Sequence, residues 1–222
     1  VGNKKVICAL SGGIDSSVVS TLCAMTGIKT IPIVMTIKNK DMLALEHAWW
    51  LEEKFSNFVE CDYGITTTSG TTALHIACAS IGLKSGDEVL VSTLTNMACA
   101  FSVDYCNAIP IPIDVDYDTW QINPKLLEKK INKKTKAIMV VHLFGHPVDM
   151  DPVIALAKKY NLKIIEDASQ AFGSKFEKNY CGTFGELGCF SLNPMKNLSA
   201  YGEAGLIVTN NKKHYKKLLM LW

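Results

Sequence analysis

Residues 136–168 read KAIMVVHLFGHPVDMDPVIALAKKYNLKIIEDA, and this stretch decides the fold. Two apolar runs, 136–143 and 163–168, have strand length, and residues 151–160 between them have helical spacing. A strand, a helix and a second strand in this order form a βαβ unit, in which the two strands run parallel. Because both runs are apolar throughout rather than alternating, we expect a mostly parallel sheet covered by helices on both faces. The stretch therefore predicts an α/β fold.

Similar units extend in both directions along the chain. Further strands are predicted at VICAL (6–10), IPIVMTI (31–37), GITTTS (64–69), EVLVS (88–92), IPIPID (109–114), GCFSL (188–192) and GLIVT (205–209). Helices are expected after the first Gly/Ser turn, at 42–55, after Thr72 and at 124–131. In such sheets ligands bind at the carboxyl ends of the strands, so the residues that follow each strand are the candidates for chemistry.

Composition excludes several classes of protein. The 222 residues are 48% hydrophobic and 20% charged, which excludes intrinsic disorder and allows one domain or two small ones. No apolar run approaches the ~20 residues of a membrane span. The N-terminal VGNKKVICALSGG lacks the layout of a signal peptide. We therefore expect a cytoplasmic protein with no membrane partner.

The charged residues and cysteines narrow the chemistry further. All 23 basic residues are lysines and the net charge is only +2, so nucleic acid is not an expected partner and anions must be held by amides, hydroxyls or lysine. The eight cysteines form no C-x-x-C pair and are predicted to be buried thiols in a reducing cytosol. His142 and His146 are four residues apart, but Pro147 and the strand-like VVHLF make a metal pair unexpected.

A first Gly/Ser-rich loop follows the first strand. Ser11, Gly12, Gly13, Asp15, Ser16 and Ser17 stand between a strand and a helix, where free amides and the helix dipole suit a phosphate. The segment resembles the PP-loop of the N-type ATP pyrophosphatases, especially GMP synthetase, and the resemblance implies ATP as a ligand. It fades after residue 37, so residues 1–40 are predicted to be a separate PP-loop-like segment. A turn that only caps a helix is the alternative.

A second loop, Thr68-Ser69-Gly70-Thr71-Thr72, stands between a predicted strand and a predicted helix. Exposed amides and threonine hydroxyls at a helix start suit a phosphate dianion. A plain helix cap would explain the same residues equally well.

From about Leu43 to the end the chain resembles the DegT-type aminotransferases, which use pyridoxal phosphate (PLP) to aminate nucleotide-linked keto-sugars. The resemblance is carried, in order, by GDEVLVSTLTNMA (86–98), VVHLFGHPVDMD (140–151), KIIEDASQAFGS (163–174) and CFSLNPMKNLSAYGEAG (189–205). It implies that residues 41–222 are a three-layer α/β/α large domain of PLP-transferase fold type I. Family members continue into a smaller C-terminal domain, so residues 41–222 are expected to be a truncated large domain. A homodimer and glutamate as amino donor are also implied.

The resemblance assigns two catalytic residues. Lys196 matches the Schiff-base lysine, and Asp167 matches the acid that pairs with the pyridine nitrogen. A buried carboxylate needs a cationic partner, and a helix N-cap is the alternative role for Asp167. Its neighbour Glu166 points to the other face of the strand and is expected to be structural.

The remaining cofactor contacts also follow from the resemblance. Thr71, Thr72 and Ser191 match the phosphate site, and Gln170 matches a position that contacts the cofactor ring. Asn96 is a departure, because the family usually has there an aromatic residue stacked on the ring. His142 and Tyr201 lie in matching segments and are either substrate-side or packing residues. Against the aminotransferase stands a second hypothesis, an ATP-binding PP-loop protein or non-catalytic scaffold.

Overall fold

A computed structural model describes residues 5–10, 29–34 and 42–221, with side chains from residue 47 onward. Near the N-terminus, β1 (Lys5–Leu10) and β2 (Lys29–Val34) pair in parallel as a two-stranded sheet. The residues that connect these two strands, Ser11 to Ser17 among them, lie outside the described part.

The main sheet has seven strands and is mostly parallel. In chain order its strands are β3 (Tyr63–Thr67), β4 (Glu88–Ser92), β5 (Ile109–Ile113), β6 (Thr135–Val141), β7 (Lys163–Asp167), β10 (Leu187–Ser191) and β11 (Gly205–Thr209). Their spatial order is β3-β11-β10-β7-β6-β4-β5, and only β11 runs antiparallel to its neighbours. A small antiparallel hairpin, β8 (Lys175–Phe176) and β9 (Asn179–Tyr180), lies outside this sheet.

Helices cover both faces of the main sheet. They are α1 (Met42–Phe58), α2 (Gly70–Ser80), α3 (Ala98–Asp104), α4 (Pro124–Lys130), α5 (Met150–Tyr160) and α6 (Lys212–Leu221), with a 3₁₀ turn at Leu143–Gly145. Buried side chains of α2, α3 and α6 share one core cluster, whereas those of α1, α4 and α5 belong to clusters with side chains from the opposite sheet face. The predicted three-layer α/β/α architecture is confirmed.

The βαβ unit at 135–167 shows how the sequence builds these layers. Asp149 caps α5 by accepting a hydrogen bond from the backbone N–H of Asp151 at 3.3 Å. Met150, Val153 and Ala157 recur at helical spacing and are buried, so one face of α5 packs on the sheet. Asn161 ends the helix in a left-handed conformation (φ 52°), which asparagine tolerates better than most residues. β7 follows two residues later and pairs in parallel with β6.

Most predicted elements are present with shifted ends. The strand predicted at 136–143 ends at Val141, because the backbone of His142 (φ −83°, ψ 74°) turns into the 3₁₀ turn although its N–H still donates to the main-chain oxygen of Asp167. The helix predicted at 42–55 continues to Phe58. Helix α6 was not predicted. Only His214 and Leu218 of its lysine-rich sequence are buried, so its apolar face is narrow. Among the described helices, none has the length and apolar character needed to cross a membrane.

Candidate active site

The carboxyl ends of β3, β7 and β10 meet at one edge of the sheet. Asp167 ends β7 and Ser191 ends β10, and Gly205, the first residue of the antiparallel β11, pairs with both Thr67 and Ser191. This edge is where ligands bind in open α/β sheets. Asp167 and Ser191, both predicted from sequence, therefore lie at the ends of two neighbouring strands, on the same edge of the sheet.

The N-terminus of α2 lies against the end of β10. A Cβ added to Gly70 would lie 2.6 Å from Cβ of Ser191, so only glycine lets the first turn of α2 approach this serine. Ser69 is the N-cap, and its Oγ accepts a hydrogen bond from the backbone N–H of Thr72 at 3.1 Å. The helix amides and the Ser191 hydroxyl are thereby brought together at one place.

The threonines of this turn differ in what they can offer a ligand. Oγ1 of Thr72 lies 3.0 Å from Oγ1 of Thr68 and 2.9 Å from Oγ of Ser69, so it belongs to a hydroxyl cluster of the cap itself. Ser69 and Thr72 therefore do form a helix cap, the alternative role that the sequence allowed. Thr71 is half-buried and lies in the first turn of the helix.

Asp167 is buried, with only 5% of its surface exposed. Its Oδ1 accepts a hydrogen bond from the backbone N–H of Ser169 at 3.0 Å, and its Oδ2 accepts one from the Cys99 thiol at 3.1 Å. Within residues 47–221, no lysine or histidine forms an ion pair with this carboxylate. The cationic partner expected from sequence is therefore not among these side chains.

Glu166 faces the opposite side of β7 and has a structural role. Its fully buried carboxylate accepts hydrogen bonds from the backbone N–H groups of Gly182 (2.7 Å), Phe184 (2.7 Å) and Gly185 (2.6 Å). Nε2 of His142 lies 2.9 Å from the same carboxylate. Nδ1 of His142 accepts from the backbone N–H of Val148 at 3.1 Å, so a ring proton lies on Nε2 and is donated to Glu166. Burial lowers the pKa of this imidazole, but its hydrogen bonds with Cys181 and Glu166 outweigh that effect and raise the pKa to about 9.

These contacts decide between the two roles considered for His142. The ring is fully buried and both of its nitrogens are used within the fold, so it is a packing residue. Tyr201, by contrast, is 43% exposed on the loop before β11.

Lys196 lies five residues after the end of β10, on a loop fixed by its neighbours. Asn193 accepts from the backbone N–H of Lys196 through its main-chain oxygen (2.9 Å), and its amide donates to Glu203. The amide of Asn197 donates to the main-chain oxygen of Phe172 at 2.8 Å. In the part of the chain that the structure describes, Nζ of the half-buried Lys196 makes no hydrogen bond or ion pair.

The two predicted ring contacts are engaged with backbone. Oε1 of Gln170 accepts from the N–H of Phe144 at 2.9 Å, which ties the turn after β7 to the turn after β6. Oδ1 of the exposed Asn96 accepts from the N–H of Ala98 at 2.9 Å and so fixes the start of α3. Asn96 therefore has a role in the fold where an aromatic residue was expected.

A groove of about 740 Å³ lies at the opposite, amino edge of β7. Its lining includes Lys163, Glu186 and Thr209, and it contains none of the predicted site residues. Since Lys163 and Glu186 are already paired with each other at 3.0 Å, the groove does not compete with the carboxyl edge as the catalytic candidate.

Two family sequence models match the chain. The DegT/DnrJ/EryC1/StrS aminotransferase family matches residues 34–222. The tRNA methyl transferase HUP domain matches residues 4–56, which include the SGGIDSS loop.

Individual relatives agree with the first match. GDP-perosamine synthase of Escherichia coli O157:H7 is 46% identical over 168 residues, which are 76% of this chain and 46% of the relative. dTDP-3-amino-3,4,6-trideoxy-alpha-D-glucose transaminase of Streptomyces venezuelae is 36% identical over 77% of this chain and 45% of its own length. A crystal structure of S. venezuelae DesV in complex with a ketimine intermediate superposes with a TM-score of 0.77 at 36% identity, covering 78% of this chain and 47% of that one. The chain spans about half the length of these relatives.

Proposed function

The chain belongs to the DegT/DnrJ/EryC1/StrS aminotransferase family, and on that premise we propose that it is the cofactor-binding part of a PLP-dependent aminotransferase. The proposed reaction moves an amino group from glutamate to a nucleotide-linked keto-sugar. Relatives named for GDP- and dTDP-linked amino sugars support this substrate class.

The observation that carries the proposal is that Asp167 forms no ion pair with any lysine or histidine within residues 47–221. A buried carboxylate without a cationic partner is costly, and two hydrogen bonds offset only part of that cost. A protonated pyridine nitrogen would supply both the missing positive charge and a further donor. The residues present thus fit PLP, with Asp167 as the partner of its ring nitrogen.

The phosphate of the cofactor would be held at the start of α2. Gly70 brings the first turn of α2 against Ser191, so backbone amides of that turn and the Ser191 hydroxyl would bind the phosphate, and the helix dipole favours a dianion. The hydroxyl of Thr71, in the same turn, would add a further donor. Thr72, whose N–H already donates to Oγ of Ser69, would contribute through the hydroxyl cluster that it forms with Thr68 and Ser69. Because the chain contains no arginine, these neutral donors have to replace a guanidinium.

Lys196 would form the covalent link to the cofactor and move protons. Its amine has no competing partner among the described residues, and its loop is fixed on both sides by Asn193 and Asn197. Once free, the amine would take the α-proton of the amino donor as general base and return it as general acid. When bound, PLP supplies the electron sink for this proton transfer.

Gln170 and Asn96 would lie beside the cofactor ring. Gln170 already uses its oxygen on Phe144, so its amide NH₂ is the group that remains for the ring's hydroxyl. Asn96 cannot stack as an aromatic residue does, and we propose that it contributes edge contacts only.

The domain division also remains a proposal. We assign residues 1–40 to a PP-loop-like segment and residues 41–222 to the PLP-binding domain. The HUP-domain match at 4–56 supports the first assignment. ATP binding by Ser11–Ser17 is the second candidate function, and it rests on the resemblance of that loop to a PP-loop. The free thiols within residues 47–221 are in keeping with a reducing, cytoplasmic location.

We expect PLP to bind far more tightly than ATP. In the proposed PLP site a lysine, an acid and hydroxyls would act on one ligand, whereas a lone loop offers amides and a dipole contribution of about 0.3–1 kcal/mol. Titrations of both ligands, followed by absorbance for PLP and by calorimetry for ATP, measure the ranking.

Two variants assign each ligand to its site. Asp15→Ala should leave PLP binding unchanged, and Asp167→Ala should weaken PLP binding while leaving any ATP binding unchanged. If ATP binds more tightly and Asp15→Ala removes it, the PP-loop function replaces the aminotransferase.

We also propose that the protein is a homodimer whose contact includes α3. Met97, Phe101 and Tyr105 are large, about half exposed and spaced along this helix, which also carries Cys99 next to Asp167. An exposed apolar face of this kind is typical of an interface. Light scattering should give twice the mass of one chain, and Phe101→Lys should shift the mass toward that of one chain. A monomer that binds PLP stoichiometrically would contradict the dimer.

A further inference from the structure

We infer that Cys99 is a positioning residue for Asp167, and that its thiol fixes the carboxylate in the orientation needed to face the pyridine nitrogen. This inference rests on the proposed function, because the group that Asp167 would face is PLP. None of the sequence motifs that carry the family resemblance assigns a role to this cysteine.

The geometry gives each carboxylate oxygen of Asp167 one donor. The Cys99 thiol donates to Oδ2 at 3.1 Å, and the N–H of Ser169 donates to Oδ1 at 3.0 Å. A carboxylate offers about four lone-pair sites, so lone pairs remain on both oxygens for a further donor. With both oxygens held, rotation of the carboxylate about its last bond would break one of the two hydrogen bonds.

The thiol is a donor throughout the working range of pH. Burial first, and the nearby charge of Asp167 second, raise the pKa of Cys99 well above its ordinary value. The side chain is fully buried, so water does not compete for the carboxylate from this side. The sulfur therefore keeps its proton, and that proton is directed to Asp167.

A second contact fixes the direction of this hydrogen bond. Oγ1 of Thr95 lies 3.2 Å from Sγ of Cys99. Since the thiol has a single proton and directs it to Asp167, the Thr95 hydroxyl has to donate to the sulfur. The result is a chain of donors from Thr95 to Cys99 to Asp167.

The start of α3 holds this chain in place. Oδ1 of Asn96 accepts from the N–H of Ala98, and the main-chain oxygen of Asn96 accepts from the N–H of Cys99 at 3.2 Å. Asn96 thereby anchors the helical turn that delivers the thiol. Asn96, which departs from the family pattern, thus helps to position Asp167 by holding the turn that carries Cys99.

A thiol suits this task because it is a weak donor. It orients the carboxylate while withdrawing little negative charge from it, so the charge stays available for the pyridine nitrogen. A charged donor in the same place would compete with the cofactor for that charge.

The contact can be tested first in the cofactor-free protein, by the infrared S–H stretching band. Subtracting the spectrum of Cys99→Ala from that of the unaltered protein isolates the Cys99 thiol. We expect a hydrogen-bonded band that moves toward the free-thiol position in Asp167→Asn. Cys78→Ala, which removes an equally buried thiol from the same core cluster, gives a control band that Asp167→Asn leaves in place. A Cys99 band unaffected by Asp167→Asn would overturn the inference.

Binding of PLP then tests the consequence. Cys99→Ala should weaken PLP binding about three- to tenfold, the range expected for loss of one hydrogen bond. Cys99→Ser keeps a donor and should restore most of the affinity, whereas Cys78→Ala should leave it unchanged. In the Asp167→Asn background Cys99→Ala should have no further effect.

These outcomes separate the inference from the proposed function. If PLP binds and labels Lys196 but Cys99→Ala behaves like Cys78→Ala, or acts equally in the Asp167→Asn background, Cys99 has no positioning role. If the infrared band shows the hydrogen bond between Cys99 and Asp167 but PLP does not bind at all, the proposed function fails. Thermal unfolding of the two alanine variants shows whether a general loss of stability explains any difference.

Discussion

Glu166→Ala is expected to lower the free energy of unfolding by about 3–5 kcal/mol. The carboxylate is fully buried and accepts three backbone N–H groups from Gly182, Phe184 and Gly185 as well as the Nε2 proton of His142. Alanine would leave these four donors without this acceptor. The two on buried residues, Gly182 and His142, would each cost about 1–3 kcal/mol, whereas those of the half-buried Phe184 and Gly185 would cost less. Urea unfolding followed by far-UV circular dichroism measures the loss.

Two further variants make this result specific. The stability of Glu166→Gln should fall between that of the unaltered protein and that of Glu166→Ala. Its amide oxygen still accepts some of the hydrogen bonds, whereas its NH₂ group would face backbone donors. Glu128→Ala removes a carboxylate from an exposed ion pair with Lys159 and should change stability little. Equal stabilities for Glu166→Ala and Glu128→Ala would show that the buried network does not hold the 181–186 loop.

Lys196→Ala is expected to slow the half-reaction with glutamate by about 10²–10⁴-fold, the usual contribution of a general acid–base group. The reason is that Lys196 is the amine proposed to carry the proton. Stopped-flow absorbance of the PLP-loaded protein after mixing with glutamate measures the rate.

Matched lysine variants show whether charge or the free amine matters. Lys196→Arg keeps the positive charge but cannot act as a base, because arginine stays protonated, so its rate should be as low as that of Lys196→Ala. Lys178→Ala, an exposed lysine at the β8–β9 turn, should leave the rate unchanged. A rate for Lys196→Arg close to that of the unaltered protein would remove Lys196 from proton transfer.

The layers of the fold could be predicted because their signals are local. Continuous apolar runs and the helical spacing of Met150, Val153 and Ala157 identify the βαβ unit without knowledge of the rest of the chain. Helix α6 escaped prediction because lysines make up four of the first six residues of its sequence, KKHYKKLLML, which favours a solvated segment over a packed helix. The antiparallel direction of β11 was not predicted either, since strand direction depends on where the loop of residues 192–204 returns the chain.

The candidate site was predictable in part for the same reason. Asp167 and Ser191 each end a strand, so their place at the carboxyl edge follows from the strand boundaries. The thiol contact of Cys99 joins residues 68 positions apart, and no spacing in the sequence indicates it. The contacts of Glu166 are likewise made by a loop that follows it by 16 to 19 residues, so only its face of the strand could be anticipated.

Borohydride reduction of the PLP-loaded protein, followed by peptide mapping, tests most directly whether this chain holds PLP through Lys196. Reduction fixes the cofactor to the amine that carries it, and the visible absorbance band disappears as it does so. We expect a phosphopyridoxyl group on the peptide that contains Lys196, and its absence from that position in Lys196→Arg. A label on another lysine, or no label after saturation with PLP, would contradict the assignment.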